Sequence, residues 1–214
     1  MKQDDTRAKI LDKALELFSE RGYDAVSVGE IAGAVGIKAP SLYNHFPSKQ
    51  AIFDAIVEAT AAQYEEDTGK IDIHVQYAAQ DIPAFAAITE EALFEKVRQI
   101  FDYSLRSEPV RRFRRMMTIE QFRSPQLAEL YTKRYAERLL SYHAAIFRSR
   151  IAAGEISGDP DTLALLYVAP VLTLLGICDR QPEREDECLS ALHKHVCQFF
   201  RLLHPDGPRQ ETQP

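Results

Sequence analysis

The stretch from Val26 to Phe53 constrains the fold most, because it contains the start and stop signals of three successive helices. Ser27, followed three residues later by Glu30, has the spacing of a capping box, in which the hydroxyl and the carboxylate each satisfy a free amide of the first turn. Apolar residues then recur at helical spacing until Gly36, a residue that can adopt the positive φ of a helix C-terminus. The sequence therefore predicts a short helix that starts at Ser27 and stops at Gly36.

A second, shorter helix is predicted from Lys38 to Asn44. Pro40 falls in its first turn, where the missing amide proton costs little. Its large apolar anchors are Leu42 and, one turn later, Phe46, whereas most of the other side chains are polar. Two short helices joined by a tight turn have the layout of a helix-turn-helix, and a polar second helix is suited to a DNA groove.

The third helix of this stretch is predicted to begin after Ser48, which is a suitable N-cap. Lys49 follows in the first turn, where the free amides and the helix dipole already favour an anion. From Lys38 to Lys49 the chain has two lysines and no acid, although its net charge is -6. These residues predict a local phosphate site in a protein that does not coat nucleic acid by bulk charge.

The same stretch resembles the helix-turn-helix of the TetR family of bacterial transcriptional regulators. The resemblance rests on Ala32, Gly36, Ile37, Ser41, Leu42, Tyr43, His45, Phe46, Ser48 and Lys49. It implies that the short second helix enters the major groove, while Lys38, Ala39 and Pro40 depart from the residues common in the family, so no operator sequence is carried over. The predicted DNA-binding residues are Ser27, Lys38, Ala39, Pro40, Ser41, Tyr43, His45 and Lys49, of which the resemblance assigns phosphates to Ser27, Tyr43, His45 and Lys49.

The rest of the chain predicts helices throughout. A first helix ends at Gly22, and the helix after Ser48 runs to about Asp67. Further helices are predicted over residues 89–107, 109–123, 125–153, 160–179 and 183–203, with a loop or broken helix over 69–87. The predicted fold class is all-α. The predicted domains are residues 1–50, a helix-turn-helix DNA-binding domain that we call the head, residues 51–204, a helical effector-binding and dimerisation domain, and 205–214, a disordered tail.

An apolar seam with three- and four-residue spacing runs along the last helix. Its members are Leu189, Leu192, Val196, Phe199 and Leu203. With the nearly uncharged helix before it, this seam forms an apolar pair, and the family resemblance implies a homodimer in which the last two helices of each protomer meet. The alternative is that the seam belongs to an intramolecular core.

Glu120 is the charged residue that the helical projection places in the middle of an apolar arc. A carboxylate there needs a partner: an arginine or histidine such as His143, or a cationic or hydrogen-bond-donating effector. The tyrosines of the following helix could be core residues or the wall of a ligand cavity. The predicted effector pocket comprises Phe113, Met116, Met117, Glu120, Tyr131, Tyr135 and His143. The neighbouring Arg111, Arg112, Arg114 and Arg115 are predicted to form a solvated face.

No pattern in the sequence predicts a catalytic residue, a metal site or a cofactor. The chain lacks a nucleophile elbow, a glycine-rich phosphate loop and an HExxH motif, and its three cysteines lack metal spacing. The N-terminus lacks the apolar core of a signal peptide. The uncharged stretch from Thr162 to Cys178 contains Pro170 and favours a buried or dimer helix over a membrane span. We therefore expect a cytoplasmic protein without a membrane partner.

Together these patterns predict a ligand-responsive DNA-binding regulator. The resemblance implies a repressor that a small-molecule effector releases from double-stranded operator DNA. The alternative is a helical small-molecule-binding protein, or an enzyme, whose N-terminal helices are only a scaffold. Polar Lys38, Ser41 and Tyr43 on one short helix favour the DNA-binding function.

Overall fold

The computed structural model of the protein describes residues 2–123 and 125–204, without the side chains of residues 2–4, 126 and 135. Every regular element in these ranges is helical, which confirms the predicted all-α class. The elements are α1 (Lys2–Arg21), α2 (Val28–Val35), α3 (Ala39–Tyr43), α4 (Lys49–Gly69), α5 (Ala78–Ala86), α6 (Glu90–Arg106), α7 (Glu108–Glu120), α8 (Pro125–Thr132), a π-helical segment (Lys133–Glu137), α9 (Arg138–Ala152), α10 (Pro160–Arg180), a 3-10 turn (Pro182–Arg184) and α11 (Glu185–Leu203). The predicted tail lies outside the described residues.

The bounds of α2 confirm the capping signals. The Glu30 amide donates to Ser27 Oγ at 3.2 Å, and the Ser27 amide donates to Glu30 Oε2 at 2.7 Å. At the other end Gly36 has a φ of 81°, and the Ile37 amide returns to the carbonyl of Ala32 at 2.9 Å. Both ends of α2 are therefore closed by local hydrogen bonds.

The structure adds detail to one segment of the predicted helix map and differs from the map in another. Residues 69–87, predicted as a loop or broken helix, contain α5 with Pro83 inside it. Tertiary contacts stabilise this segment, because the buried carboxylate of Asp81 accepts from the His74 amide at 2.7 Å and from the Tyr142 hydroxyl at 2.5 Å. The single helix predicted over residues 125–153 is interrupted by the π-helical segment. The π-helical interruption leaves no mark in local periodicity.

The chain forms two compact units. Of the described residues, the first contains those up to 67 together with 106–132, and the second contains 68–105 and 133–204. The head lies in the first unit, which extends beyond the predicted boundary at residue 50, and that boundary stays a prediction. The helix α4 begins in the first unit and ends in the second.

The core of the first unit joins α7 to the head. Phe18, Leu42, Phe46 and Phe53 are almost completely buried there, and α7 packs along α1. Phe113, Met116 and Met117 on α7 are 1% or less exposed. Arg114 was predicted to face solvent with its neighbours, but it is 6% exposed, so the predicted solvated face is wrong at that residue.

The core of the second unit is built mainly from α9, α10 and α11, with α5 packed on α9. The predicted dimer seam lies in this core, because Leu192 and Val196 are completely buried and Phe199 is 7% exposed. Leu189 and Leu203 are half-buried. The assignment to a dimer contact is therefore corrected for Leu192, Val196 and Phe199, whereas for the half-buried Leu189 and Leu203 it stays a prediction. Periodicity identifies an apolar face but not what covers it.

Another apolar surface is exposed on the same two helices. Leu165 and Leu166 on α10 are 54% and 56% exposed, and Leu202 on α11 is 68% exposed. Among the described residues α10 is long and apolar enough to span a membrane by length and composition, with a mean hydropathy of 1.9 and 28% of that window buried. A helix that packs in the core of a soluble protein passes the same test, so this is a weak indication.

Candidate functional site

The face that α3 presents in the head is polar and exposed. Leu42 and Phe46 anchor the segment with exposures of 0% and 2%. On the outer side Lys38, Pro40, Ser41 and Tyr43 are exposed, whereas Ala39 and His45 are half-buried. The structure thus presents Lys38, Ser41 and Tyr43 together on one short helical segment, as a recognition helix requires.

Local geometry explains why this segment starts a new helix so soon after α2. Lys38 is extended, with φ of -80° and ψ of 146°, and it is the N-cap residue of α3. The carbonyl of Lys38 then accepts from the Ser41 amide at 2.9 Å. Pro40 occupies the first turn, where no amide is needed. The turn between the helices therefore consists of Gly36, Ile37 and Lys38.

Lys49 is held inside the head. Its Nζ donates to the carbonyls of Tyr23 at 2.9 Å and Val26 at 3.0 Å, and it lies 4.2 Å from the centre of the Tyr23 ring. The half-buried ammonium group thus ties the start of α4 to the loop between α1 and α2. Its predicted phosphate contact stays a prediction, but this lysine has a structural role that the sequence did not indicate.

The two serines of the predicted phosphate site act as helix caps. Ser48 Oγ accepts from the Ala51 amide at 3.0 Å. Ser27 is paired with Glu30, and the hydrogen bonds from the backbone and side chain of Ser27, with the help of Arg21, lower the pKa of Glu30 to about 2. The Glu30 carboxylate at the start of α2 is therefore charged at neutral pH and stays hydrogen-bonded to Ser27.

Arg7 is a cationic side chain of the head that sequence reasoning missed. It is exposed, its guanidinium carbon lies 4.3 Å from the centre of the Phe46 ring, and Nη1 donates to the carbonyl of His45 at 3.4 Å. Arg7 therefore lies next to the end of the α3 segment. The available signal was its position outside the apolar stripe of α1, which is weak because most such residues are only solvated.

Glu120 has structural partners in the first unit. Oε1 accepts from the Tyr23 amide at 2.8 Å and from Arg123 Nη1 at 3.1 Å, and the residue is 1% exposed. Gly22 is required beside it: its φ is 83°, and a Cβ there would lie 2.7 Å from Glu120 Oε1. Of the two explanations left open by the sequence, the structure supports a structural partner, with the Tyr23 amide and Arg123 in place of His143.

The predicted effector pocket is divided between the two units. Phe113, Met116, Met117 and Glu120 are core residues of the first unit, which also contains the half-buried Tyr131. The side chain of Tyr135 is outside the described part of the chain, and His143 belongs to the second unit. Phe113, Met116 and Met117 are used for packing within the first unit, because α7 lies against α1, and an effector pocket formed by the full set stays a prediction.

A cavity lies inside the second unit, and His143 is part of its wall. The centre of a water molecule can occupy about 20 Å³ of this cavity. The empty volume is about 380 Å³ when the opening to solvent is included. Most of its wall is apolar: Phe85, Ile88, Leu93, Ile146, Phe147, Tyr167, Phe199, Phe200 and Leu203. Phe199 and Leu203, predicted at a dimer interface, thus line this cavity.

The polar side chains of the cavity wall are held by neighbours. His143 Nδ1 lies 2.8 Å from the carbonyl oxygen of Leu139, and burial lowers the pKa of His143 to about 4. Arg150 Nε donates to Glu155 at 2.9 Å, and Nη2 lies 2.9 Å from His204 Nε2. Sequence reasoning missed Arg150, although it continues the stripe of Tyr142 and Ile146 at four-residue spacing and so was a charged residue on an apolar face.

The head has the geometry of a helix-turn-helix DNA-binding domain, and comparison with known proteins matches the same part of the chain to a family model. The profile described as "Bacterial regulatory proteins, tetR family" matches residues 10–56. The resemblance to the TetR family of transcriptional regulators is therefore confirmed.

Two known regulators show how far the sequence similarity extends. The chain is 50% identical over 50 residues to the biofilm operon icaADBC HTH-type negative transcriptional regulator IcaR of Staphylococcus aureus, which covers 23% of this chain and 27% of that protein. It thus spans about a quarter of the length of the first curated relatives that it matches. It is 28% identical over 182 residues to the HTH-type transcriptional regulator UidR of Escherichia coli, covering 83% of each.

The whole fold is also found in solved structures. A complex of SmeT with triclosan has a TM-score of 0.63 and 21% identity, covering 98% of this chain and 99% of that one. SmeT itself, the repressor of the Stenotrophomonas maltophilia multidrug efflux pump SmeDEF, has a TM-score of 0.61 and 20% identity, with 97% of both chains covered. At this identity the similarity shows a common fold.

The structural role of Glu120 can be tested by stability. We expect Glu120→Ala to lower the free energy of unfolding by about 2–3 kcal/mol, because the Tyr23 amide and Arg123 lose a charged acceptor. Glu120→Gln keeps an acceptor and should lose about half as much. Urea denaturation without any ligand measures both, with the exposed Glu129→Gln on α8 as the control. An unchanged stability of Glu120→Ala would contradict the structural role.

Proposed function

We propose that this protein is a ligand-responsive, DNA-binding transcriptional regulator that acts as a repressor. The observation that carries the proposal is the exposed polar face of α3, held by Leu42 and Phe46 and joined to α2 through Gly36. Side chains on such a segment can contact base edges in the major groove, while neighbouring groups bind phosphates. The similarity to IcaR, a negative regulator, and to SmeT, a repressor, supports repression.

The DNA-binding residues that we propose fall into two groups. We propose base contacts for Lys38 and Ser41, with Ala39 and Pro40 beside them, and their position at the start of α3 supports this proposal. We propose phosphate contacts for Tyr43, His45, Ser27 and Lys49, and we add the exposed Arg7 to this group. Since Ser27 and Lys49 already make hydrogen bonds within the head, substituting them would also disturb its packing.

We infer that the regulator works as a homodimer. Two heads are needed to bind two half-sites about one helical turn apart, which multiplies the selectivity of one short helix. The exposed leucines Leu165, Leu166 and Leu202 provide an apolar surface on α10 and α11 that a second copy would cover. This assigns the dimer contact to the outer faces of these helices and leaves the buried α11 seam to the core.

The second unit would bind the effector in its cavity, and the binding would favour a conformation in which the heads no longer fit both half-sites. Such a population shift requires that the effector has different affinities for the two conformations. The helix α4 supplies a covalent connection, because it starts at Lys49 in the head and ends in the second unit. The bound triclosan in a structure of SmeT supports effector binding by this fold.

A cytoplasmic location without a membrane partner follows from this function, because a repressor must reach chromosomal DNA. We assign no catalytic activity and no metal or cofactor. The alternative, a scaffold-only N-terminal region, is disfavoured because it does not require Lys38, Ser41 and Tyr43 to be exposed together on so short a helix.

The DNA-binding assignment can be tested by electrophoretic shift on the DNA that flanks the coding sequence. We expect Lys38→Ala and Ser41→Ala to weaken binding to the specific site by about 1–3 kcal/mol and to change the preference among site variants, because base contacts carry sequence information. Tyr43→Phe should weaken binding to the specific site and binding to random DNA by similar factors. The exposed Ser190→Ala on α11 is the matched control for Ser41. An equal loss on every sequence for both Lys38→Ala and Ser41→Ala would contradict the recognition-helix assignment.

The dimer assignment can be tested by light scattering at micromolar concentration. We expect Leu166→Glu to give folded monomers with reduced operator affinity, because a charge placed on a self-complementary surface appears twice at the contact. Phe122→Glu is the control, since Phe122 is 89% exposed in the first unit. A wild-type protein that is monomeric under these conditions would show that the assignment is wrong.

A further inference from the structure

One ring nitrogen of His143 makes a hydrogen bond to the protein, and the other makes none to the described residues. Nδ1 lies 2.8 Å from the carbonyl oxygen of Leu139, so this nitrogen carries the proton and donates. Nε2 is then a lone-pair acceptor, and it has no hydrogen-bond partner among the residues that the structure describes. His143 is fixed by ring contacts, with centroid distances of 4.9 Å to both Tyr142 and Tyr167. The cavity wall thus contains an oriented acceptor.

The protonation of His143 strengthens this conclusion. Burial lowers its pKa to about 4, so the ring is neutral at physiological pH and cannot serve as a cation for an acidic ligand. Burial also raises the pKa of Tyr167, which stays an uncharged phenol beside it. A ligand that contacts Nε2 must therefore supply a hydrogen-bond donor.

The cationic side chain of the cavity wall is already balanced by charge. The Arg150 guanidinium is paired with Glu155, and its Nη2 lies next to His204 Nε2. The side chain of Arg150 is only 9% exposed. An anionic ligand would have to compete with the Glu155 carboxylate, whereas a neutral ligand leaves this ion pair intact.

The remaining wall favours an aromatic ligand of small size. Rings of Phe147, Tyr167 and Phe199 stand within 5.1–6.1 Å of one another, which is the spacing at which aromatic pairs attract. A space of about 20 Å³ for water centres holds little more than one water molecule, so even a single ring requires neighbouring side chains to move. That requirement links binding to a change of conformation.

We propose that this cavity binds a small, neutral aromatic molecule that carries a hydroxyl group, a phenol in the general sense, with the hydroxyl donating to Nε2 of His143 and the ring packed among Phe147, Tyr167 and Phe199. This inference rests on the proposed function, because it names the chemical class of the effector. It adds His143 as the residue that selects a donor over an apolar or anionic ligand.

The test uses four probes of one ring size on the full-length protein without DNA: phenol, anisole, toluene and benzoate. Affinities are measured by calorimetry or by ligand-observed NMR at pH 7, where phenol is neutral. We expect phenol to bind about two- to tenfold more tightly than anisole and toluene, because one neutral hydrogen bond is gained. Benzoate should bind more weakly than phenol.

Substitutions then assign the preference to His143. In His143→Leu the preference for phenol over toluene should disappear, while His143→Gln, whose amide oxygen can accept, should retain part of it. The matched control is His193→Leu, because His193 is an exposed histidine of α11 that does not line the cavity. Thermal melts verify that each variant is folded. If one of the two His143 variants does not fold, the other still tests the preference.

Three results would overturn the inference: equal affinities for phenol and toluene, tighter binding of benzoate that depends on Arg150, or a phenol preference that survives in His143→Leu. The proposed function is tested separately by operator binding of the wild-type protein without any probe. A protein that binds operator DNA but shows no phenol preference contradicts only the effector class. A protein that shows the preference but binds no specific DNA contradicts only the regulatory function.

Discussion

The buried carboxylate of Glu120 is the group on which the order of the first unit depends. It accepts from the Tyr23 amide, while the Tyr23 carbonyl accepts from Lys49 at the start of α4. The backbone of Tyr23, in the loop between α1 and α2, thus connects α7 with α4. Leaving a buried donor without its charged acceptor costs about 2–3 kcal/mol, so these hydrogen bonds hold the loop firmly. Gly22 permits it, because a side chain there would occupy the space of the carboxylate.

This connection gives the proposed regulation a physical basis in the head. In our proposal, an effector in the second unit changes DNA binding by shifting α4, and Lys49 is the first residue of that helix. Because Lys49 is bound to the carbonyls of Tyr23 and Val26, a shift of α4 would be transmitted to the loop before α2. The position of α3, which is packed on α2, would change with it.

Local signals made the head predictable, whereas the candidate cavity depends on contacts between distant residues. The caps at Ser27 and Ser48, the stop at Gly36 and the anchors Leu42 and Phe46 all act within a few residues, so the sequence contains them directly. The partners of Glu120 and the wall of the cavity depend on which faces pack together, which periodicity does not specify. For the same reason periodicity identified the α11 seam as apolar but did not show that Leu192 and Val196 pack in the core of the protomer.

The measurement that tests the central claim most directly is selection of binding sites by the purified protein from a pool of random duplex DNA. Sequencing of the bound fraction identifies the preferred site directly, whatever the operator sequence is. We predict enrichment of a two-fold symmetric motif whose half-sites are about one helical turn apart, and a changed base preference within the half-sites for the Ser41→Ala variant. If the DNA bound by the wild-type protein shows no enriched motif, either at low salt or at physiological salt, the assignment as a sequence-specific DNA-binding regulator is wrong.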